Sequence, residues 1–435
     1  MKLRNLFLAS LAICTMASCS KDEDGPSIPQ EVDAYLSIAA VPGDLVAKAS
    51  EKGEEELGET KEQVVNTLTA FVFKAGETDA PITDESLQTF VISKTVAIGT
   101  SEVGDSKDAI VGKVGDERTI TAIKGIHVKV AAPEGATTTS KTQFKVVLVA
   151  NCKDLSATSV KDLKTKLTPD ILSFGGVGTS YLPMSSEPLT INSLTPYTTE
   201  KHIQNWFNGD SQTPVTIENG TDNTGATTVG TAATLIRAIS RVQIESLNTN
   251  FQGQYKGATF TVDAIYLVNV RATETIMRQE NADAIYYRGG LQDYTVLDKL
   301  IDENSVSKTE PCSLWKKYTE NNILSSSPNA TFNTFKSYIN VNSPNGLTGS
   351  QTRLIIAGDL KLQNGTAMGR KYFHIPLKDV GDAGNVVNNK IYKITATITG
   401  EGNPEPDQIL DNACINFTIT VANWQVVDQT EEDIN

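Results

Sequence analysis

The chain has 435 residues and a formal net charge of −14, with acidic and basic residues interspersed along it. A chain of this length can fold into two or three domains that each bury a core of their own. The acidic balance argues against the basic surface that nucleic-acid binding requires, so we expect no nucleic-acid partner.

The first 25 residues have the pattern of an export signal followed by a charged tether. Two basic residues precede the apolar stretch Leu6 to Met16, which is shorter than the roughly 20 apolar residues that span a bilayer. Small residues then lead to Cys19, and this ending resembles a bacterial lipobox, whose cysteine is lipidated and becomes the mature N-terminus. We expect a lipoprotein signal peptide at 1–18 and a tether at 19–31, whose acidic start resembles a surface-export signal of Bacteroidetes lipoproteins. An ordinary cleaved signal and a merely solvated tether are the alternatives.

Strand patterns dominate the first half of the chain. Alternate apolar residues of VDAYLSIAAV share one face of an extended segment: Val32, Ala34, Leu36, Ile38 and Ala40. Residues 42–62 are charged, interrupted by glycine and without period, which predicts an exposed loop. Strands are predicted at 66–76 and at 144–152, and the second is apolar on both faces, as in the centre of a covered sheet. Helical spacing near residue 160 predicts a short connecting helix with Val160, Leu163 and Leu167 on one face.

The second half also reads mainly as strands. Residues 260–270 are apolar on both faces, 331–339 favour a short helix, and apolar residues alternate at Tyr392, Ile394, Ala396 and Ile398. Strands separated by Gly/Asn turns predict an all-β protein with two β-sandwich domains in tandem and a few short helices. We expect the N-terminal domain at 32–230 and the C-terminal domain at 231–435.

The residues that usually carry chemistry do not form a recognisable constellation. His127, His202 and His374 lack metal-ligand spacing, and no nucleophile elbow or nucleotide-binding glycine pattern is present. We therefore predict no enzyme activity, no cofactor and no metal site. Scattered carboxylates leave a surface hydrolase as the least favoured alternative.

Three cysteines remain once the two of the signal region are set aside. Cys152, Cys312 and Cys414 lack the close spacing of a disulfide framework or a zinc site. We interpret them as small buried apolar residues. One disulfide is the alternative, and Cys312 with Cys414 is then the favoured pair.

Several segments, in order, resemble the fimbrillin family of Bacteroidetes, the subunits of type V pili. They are NTLTAFVFKAG, FKVVLVANC, YLPMSSEP, TLIRAISRVQIE, FTVDAIYLVNV and the ending NNKIYKITATITGEG…INFTITVANWQVV. The resemblance implies two transthyretin-like β-sandwich domains and assembly by strand exchange. It implies a lipidated precursor that loses its first strand to a protease, and a C-terminal strand that is donated to a neighbouring subunit.

The resemblance assigns roles to two segments. Residues 32–48 would be the removable strand, cut between Lys48 and Ala49, where the best-known members have an arginine. Residues from about 412 to 428 would be the donor strand, with Ile415, Phe417, Ile419 and Val421 on one face. Trp424 follows on the opposite parity, which predicts a bulge or a second short strand. The alternative for each segment is a permanent edge strand of its own sandwich.

The expected function is a structural subunit of a surface fimbria that supports adhesion. Its expected partners are other copies or related fimbrial subunits in a head-to-tail filament, a maturation protease, and surface ligands of host or bacterial cells. The precursor would be held in the outer membrane by its lipid before it enters the fimbrium. The alternative is a non-polymerising surface lipoprotein, either a pilus anchor or a glycan- or host-binding module. The chain ends at Asn435, shortly after the donor segment, which favours a shaft subunit over a tip adhesin.

Overall fold

The structure, a computed structural model, describes residues 30–43, 55–56, 58–100, 104–209, 211–218, 230–278, 286–288, 291–294, 314–319, 322–327, 331–342, 351–378, 385–406, 414–424 and 430–431. These residues form 25 strands and a few short helical turns, as the all-β prediction requires. Among the described helices, none is both long and apolar enough to cross a membrane.

The strands of the first half are β1 Glu31–Pro42, β2 Glu55–Glu56, β3 Thr67–Glu77, β4 Ala80–Pro81, β5 Thr89–Ala97, β6 Ala109–Val114, β7 Glu117–Ala131, β8 Thr142–Ala150, β9 Met184–Ser185, β10 Leu189–Ile191, β11 Gln204–Trp206, β12 Val215–Ile217 and β13 Ala233–Arg237. Those of the second half are β14 Ser240–Thr249, β15 Thr259–Arg271, β16 Tyr286–Arg288, β17 Leu291–Tyr294, β18 Trp315–Lys317, β19 Ile323–Leu324, β20 Lys336–Ile339, β21 Arg353–Lys361, β22 Ala367–Pro376, β23 Lys390–Ile398, β24 Ile415–Trp424 and β25 Thr430–Glu431. The helices are α1 Thr60–Gln63 and α2 Val160–Leu163, with 3-10 turns at Ile171–Phe174, Gly253–Tyr255 and Phe332–Thr334.

The N-terminal domain is built on one continuous hydrogen-bonded sheet that folds over its own core. Its order is β25-β6-β7-β1-β13-β9-β8-β3-β4, with β5 on β3, β10 on β8, β11 on β1 and β12 on β11. β1 joins the two layers, because it pairs with β7 in one layer and with β13 in the other.

The C-terminal domain is a sandwich of two separate sheets. A five-stranded sheet has the order β2-β24-β23-β14-β20. A seven-stranded sheet has the order β17-β16-β15-β21-β22, with β18 and β19 also on β15. Tyr392 and Ile394 of the first sheet and Leu354 and Phe373 of the second belong to the same buried core. The tandem β-sandwich prediction is confirmed.

Strands with two apolar faces lie where both faces are covered. In β8, Phe144, Val146 and Leu148 enter the main core. Val147 and Val149 point to the other side and pack with Val160 and Leu163 of α2 in a second cluster. An apolar run without alternation is typical of such doubly covered strands.

Two helix predictions are only partly right. α2 begins after Ser159, whose Oγ accepts a hydrogen bond from the Asp162 amide at 3.1 Å, a normal N-cap. The helix ends at Leu163, and Leu167 lies beyond it with 45% of its surface exposed. Within 331–339 only Phe332–Thr334 is helical, as a 3-10 turn, and β20 follows.

The prediction of an exposed loop over 42–62 is wrong for its described end. Gly58 is buried, α1 starts at Thr60, and Glu62 is 0% exposed. The charged composition suggested exposure, but Glu62 meets a buried arginine from a distant strand, which local sequence does not reveal.

The predicted domain boundary after residue 230 separates β13 from the sheet to which it belongs. β13 pairs with β1 and β9 of the N-terminal domain. β14, which starts at Ser240, pairs with β20 and β23 of the C-terminal domain. We therefore propose a boundary between Arg237 and Ser240.

Candidate strand-exchange site

β1, the predicted removable strand, is an interior strand with hydrogen-bonded neighbours on both sides. It runs antiparallel to β7 from Glu31 to Ala39. On its other side it runs parallel to β11 at Leu36 and Ser37, and parallel to β13 at residues 40–42. β1 is therefore not an edge strand, and its removal would leave two unpaired strand edges facing each other.

The inward face of β1 is part of the core of the N-terminal domain. Ala34, Leu36, Ile38 and Ala40 are at most 2% exposed, and half-buried Val32 packs against the same core. Full burial of one Leu or Ile side chain contributes about 1.5–3 kcal/mol. Leu36 and Ile38 therefore supply most of the burial that ties β1 to its groove.

A bulge in β7 fixes the register of β1 at its midpoint. The pairing shifts between Leu36 and Ile38, which face Ile126 and Ile123. The extra residues of β7 include Gly125, which has a positive φ of 60° and whose N–H donates to Ser37 Oγ at 3.2 Å. Such bulges locally disrupt a ladder and re-aim its strand. Any strand that replaces β1 has to match this bulge.

The outward face of β1 carries polar and ring contacts at the surface. The Asp33 carboxylate lies 2.5 Å from Lys129 Nζ and 2.7 Å from His127 Nε2. The hydrogen bond from Lys129, followed by that from His127, holds the pKa of Asp33 below its ordinary value. Tyr35 stacks on His127 with 5.1 Å between ring centroids and meets Tyr197 edge-on at 5.2 Å. Exposed ion pairs contribute little to the free energy of folding, so these contacts mainly fix the register of β1.

The end of β1 is held at Gly43, just before the predicted cut. The Gly43 N–H donates to Leu235 O at 3.0 Å, and Gly43 O accepts from Asn389 Nδ2 at 3.4 Å. Lys48 and Ala49, like the lipidation candidate Cys19, lie outside the described residues. The next described residues are those of β2, which pairs with β24. The candidate cut therefore lies in the sequence between two hydrogen-bonded segments.

β24, the predicted donor strand, lies in the C-terminal domain. It pairs antiparallel with β23 over nine consecutive positions, from Ile415 opposite Ile398 to Asn423 opposite Lys390, without a register shift. On its other side the described residues provide only β2, opposite Asn423 and Trp424. Most of the outer edge of β24 thus has no strand partner in the part of the chain that the structure describes.

The predicted bulge or second short strand before Trp424 is wrong, because β24 continues without interruption to Trp424. The strand alternates regularly, and both of its faces become apolar near its end. Ile415 is buried, and Phe417, Ile419 and Val421 are half-buried against the core. Ala422 and Trp424 are buried on the opposite face. The change of parity reflects a second buried face and not an interruption of the strand.

Trp424 ends β24 in a buried cluster of charged residues that the sequence did not predict. The guanidinium carbons of Arg237 and Arg241 lie 4.6 and 5.0 Å from its ring centroid. Arg241 Nη1 donates to Glu62 Oε2 at 2.7 Å, and Tyr338 Oη donates to Glu62 Oε1 at 2.7 Å. Burial raises the pKa of the Glu62 carboxyl, and Arg241 opposes that shift. Two arginines within the apolar stretch TLIRAISRVQI are the signal that such a cluster exists.

Comparison with known proteins identifies the N-terminal part of this arrangement. Residues 34–237 match the family model described as "Major fimbrial subunit protein (FimA)". The matched range starts inside β1 and ends at the last residue of β13, so it covers the groove and the strand that fills it. Residues 34–237 are therefore similar to the major fimbrial subunit family.

Solved structures share the fold of this chain. A fimbrilin from Porphyromonas gingivalis W83 is 17% identical with a TM-score of 0.54, and the match covers 92% of this chain and 99% of that one. A candidate cell adhesion protein from Parabacteroides distasonis ATCC 8503 is 15% identical with a TM-score of 0.54, covering 91% and 100%. At these identities the likeness concerns the fold alone. No curated protein matches the chain.

The remaining candidate residues of the chain are its histidines, carboxylates and cysteines. Among described residues, no group of three or more His, Cys, Asp or Glu side chains is placed to hold a metal. Cys152 is buried, which raises the pKa of its thiol to about 12. Cys414 is an exposed free thiol, so its interpretation as a small buried residue is wrong. Cys312 lies outside the described residues.

Proposed function

We propose that this protein is the structural subunit of a surface fimbria that polymerises by strand exchange and supports adhesion. The precursor is lipidated at Cys19, and a protease cuts between Lys48 and Ala49. β1 then leaves, and its groove accepts β24 from a neighbouring copy or a related subunit. One observation carries the proposal: β1 is an interior strand whose loss opens two strand edges and a row of apolar pockets.

The donor segment has the spacing that such a groove requires. An added strand pairs its backbone with the open edges and fills the pockets with alternate side chains. Ile415, Phe417, Ile419 and Val421 alternate as the inward residues of β1 do. Ala34 and Ala40, on either side of Leu36 and Ile38, would leave shallow pockets. We therefore expect Phe417 to occupy a deeper pocket vacated by Leu36 or Ile38, because overpacking is destabilising.

The contact is head-to-tail and therefore builds an open filament. Groove and donor are different surfaces of the same chain, so each added subunit offers a new groove or a new donor. Apolar burial at about 25 cal/mol per Å² gives several kcal/mol for four inserted side chains, so growth needs no nucleotide. The partners are other fimbrial subunits, the maturation protease, the outer membrane before cleavage, and surface ligands of host or bacterial cells. Similarity to a structural-subunit family supports a role without catalysis.

A cleavage-site variant tests the proposal. Surface extracts of cells carrying the wild-type protein should give a ladder of detergent-resistant multimers, and Lys48→Ala should leave only monomer. Lys52→Ala is the matched control, since it changes a lysine of the same segment and should keep the ladder. A ladder from Lys48→Ala at wild-type intensity would contradict a cut at Lys48.

A second candidate function is a non-polymerising surface lipoprotein, either a pilus anchor or a glycan- or host-binding module. The observation that favours it is the ladder between β24 and β23, which runs for nine positions without a shift, as in a permanent strand. For this candidate, every molecule on the surface keeps β1 and a lipidated Cys19. No ladder then forms from the wild-type protein or from either lysine variant.

A further inference from the structure

The end of β24 is held by residues from both domains. The Trp424 side chain is buried, with Arg237 at the end of β13 and Arg241 in β14 against its ring. Cation–π contacts strengthen when the ring and the cation are removed from water, as here. The indole N–H has no acceptor among the described residues. Among the described residues, the indole ring is therefore held by packing and by the two guanidinium groups.

The segment after the candidate cut lies directly against this ring. β2 pairs with Asn423 and Trp424, and it is the strand seen on the outer side of β24 in the described chain. A Cβ atom placed on Gly58 would lie 2.9 Å from Trp424 Cε3, closer than real Cβ contacts come. Glu62, four residues later, anchors the segment by accepting the hydrogen bond from Arg241. Residues 55–56 and 58–62 thus clamp the end of the donor strand.

The contact between Arg237 and the Trp424 ring depends in turn on β1. Residues 40–42 of β1 pair with residues 233–235 of β13, two positions before Arg237. Asn389 Nδ2 donates to Gly43 O, and Asn389 Oδ1 accepts from the amide and Nη1 of Arg237, each at 3.4 Å. Loss of β1 therefore removes the strand beside β13 and an acceptor of Asn389. Both changes act on Arg237, which contacts the ring of Trp424.

We infer that this cluster is a latch: Arg237, Arg241 and residues 55–56 and 58–62 hold the end of β24 in its own domain while β1 fills the groove. Loss of β1 loosens the hold and frees the strand for donation. The inference rests on the proposed function, because the latch would regulate the donation of β24. Departure of Trp424 leaves Glu62 and Arg241 still paired, so release does not break this buried ion pair. An uncut subunit is in this way kept from donating its strand prematurely.

Hydrogen exchange in the full chain tests the latch. The protein is measured uncut, and again after digestion at Lys48 with a lysine-specific endoprotease and removal of the β1 fragment in mild urea. The amides of 420–424 should exchange about tenfold faster after β1 is removed, since one tenfold step corresponds to a contact of this strength. Gly58→Ala, whose methyl group displaces the ring, should raise exchange at the same amides in the uncut protein. Gly104→Ala is the matched control, because a Cβ there meets nothing within 4 Å.

Failure of the latch is distinguishable from failure of the proposed function. Unchanged exchange at 420–424 in both the cut protein and Gly58→Ala, with ladders still formed by the cut protein, would overturn the latch and leave strand-exchange assembly standing. Absence of ladders from cut wild-type protein would contradict the assembly itself. Faster exchange in both samples, with Gly104→Ala unchanged, supports the latch.

Discussion

Glu62 and Arg241 form an ion pair whose side chains are 0% and 1% exposed. Burying two charges is costly, and removal of one partner of such a pair typically costs about 3–5 kcal/mol, because the other charge is left unpaired. The Glu62 carboxylate accepts two further hydrogen bonds, from Tyr338 Oη and from the Glu59 amide. A buried pair of this kind fixes one arrangement of the two domains more than it adds stability.

Glu274 is a second buried acid between the domains. It is fully buried, its carbonyl accepts from the Thr168 amide at 2.8 Å, and Oε2 accepts from the Val341 amide at 2.6 Å. Burial raises the pKa of its carboxyl from 4.5 to about 8, opposed by the Val341 amide and by Arg278 and Arg271. The folded protein therefore keeps this proton at pH values where the unfolded chain has lost it.

This difference predicts a pH dependence of stability. Between pH 4.5 and about 8 the unfolded state binds fewer protons at this site than the folded state, so the free energy of unfolding falls as pH rises, by up to about 1.4 kcal/mol per pH unit. Glu274→Gln should remove this contribution to the slope, measured by denaturant unfolding from pH 5 to pH 8. Glu134→Gln, at an exposed position, is the control and should keep the wild-type slope. Parallel slopes for Glu274→Gln and wild type would contradict a protonated Glu274.

At the scale of single elements, local patterning predicts most strands. The alternation of β1 and β23 and the two apolar faces of β8 and β15 reflect how many faces each strand buries, and a short window of sequence contains that information. Three features were missed because they depend on distant partners. Glu62 is buried against Arg241, β13 pairs with β1 of the N-terminal sheet, and Trp424 at the end of β24 packs against Arg237.

The candidate site was predictable only in part for the same reason. The apolar face of β1 can be read from five alternating residues, but its interior position depends on β7 and β13, which lie far along the chain. No local pattern distinguishes an interior strand with parallel and antiparallel neighbours from an edge strand with one neighbour. The roles of the two segments came from family resemblance and remain proposals.

The burial of β1 predicts a substitution effect that depends on cleavage. Leu36→Ala should lower the free energy of unfolding of the uncut protein by about 2–5 kcal/mol, as for a fully buried leucine. Val32→Ala, at a half-buried position of the same face, is the control and should cost less. Once β1 has been cut and removed, both variants should be as stable as cut wild type in denaturant unfolding. A penalty for Leu36→Ala that persists after cutting would mean that β1 stays in the groove.

At the scale of the whole molecule, the two ends of the chain meet both domains. β2, from the N-terminal part, adds to the C-terminal sheet at β24, and β25, from the C-terminal end, pairs with β6 of the N-terminal sheet. Donation of β24 would therefore also draw β25 away from β6. In the proposed assembly, β24 would exchange its contacts within one chain for contacts with a neighbouring chain.

The fate of the N-terminus tests the central claim most directly. Subunits sheared from the cell surface are analysed by intact mass, which gives the first residue of the assembled protein. Strand-exchange assembly predicts a chain that starts at Ala49 and carries no lipid. A lipidated Cys19 on all surface molecules would contradict it, since β1 would then still fill the groove.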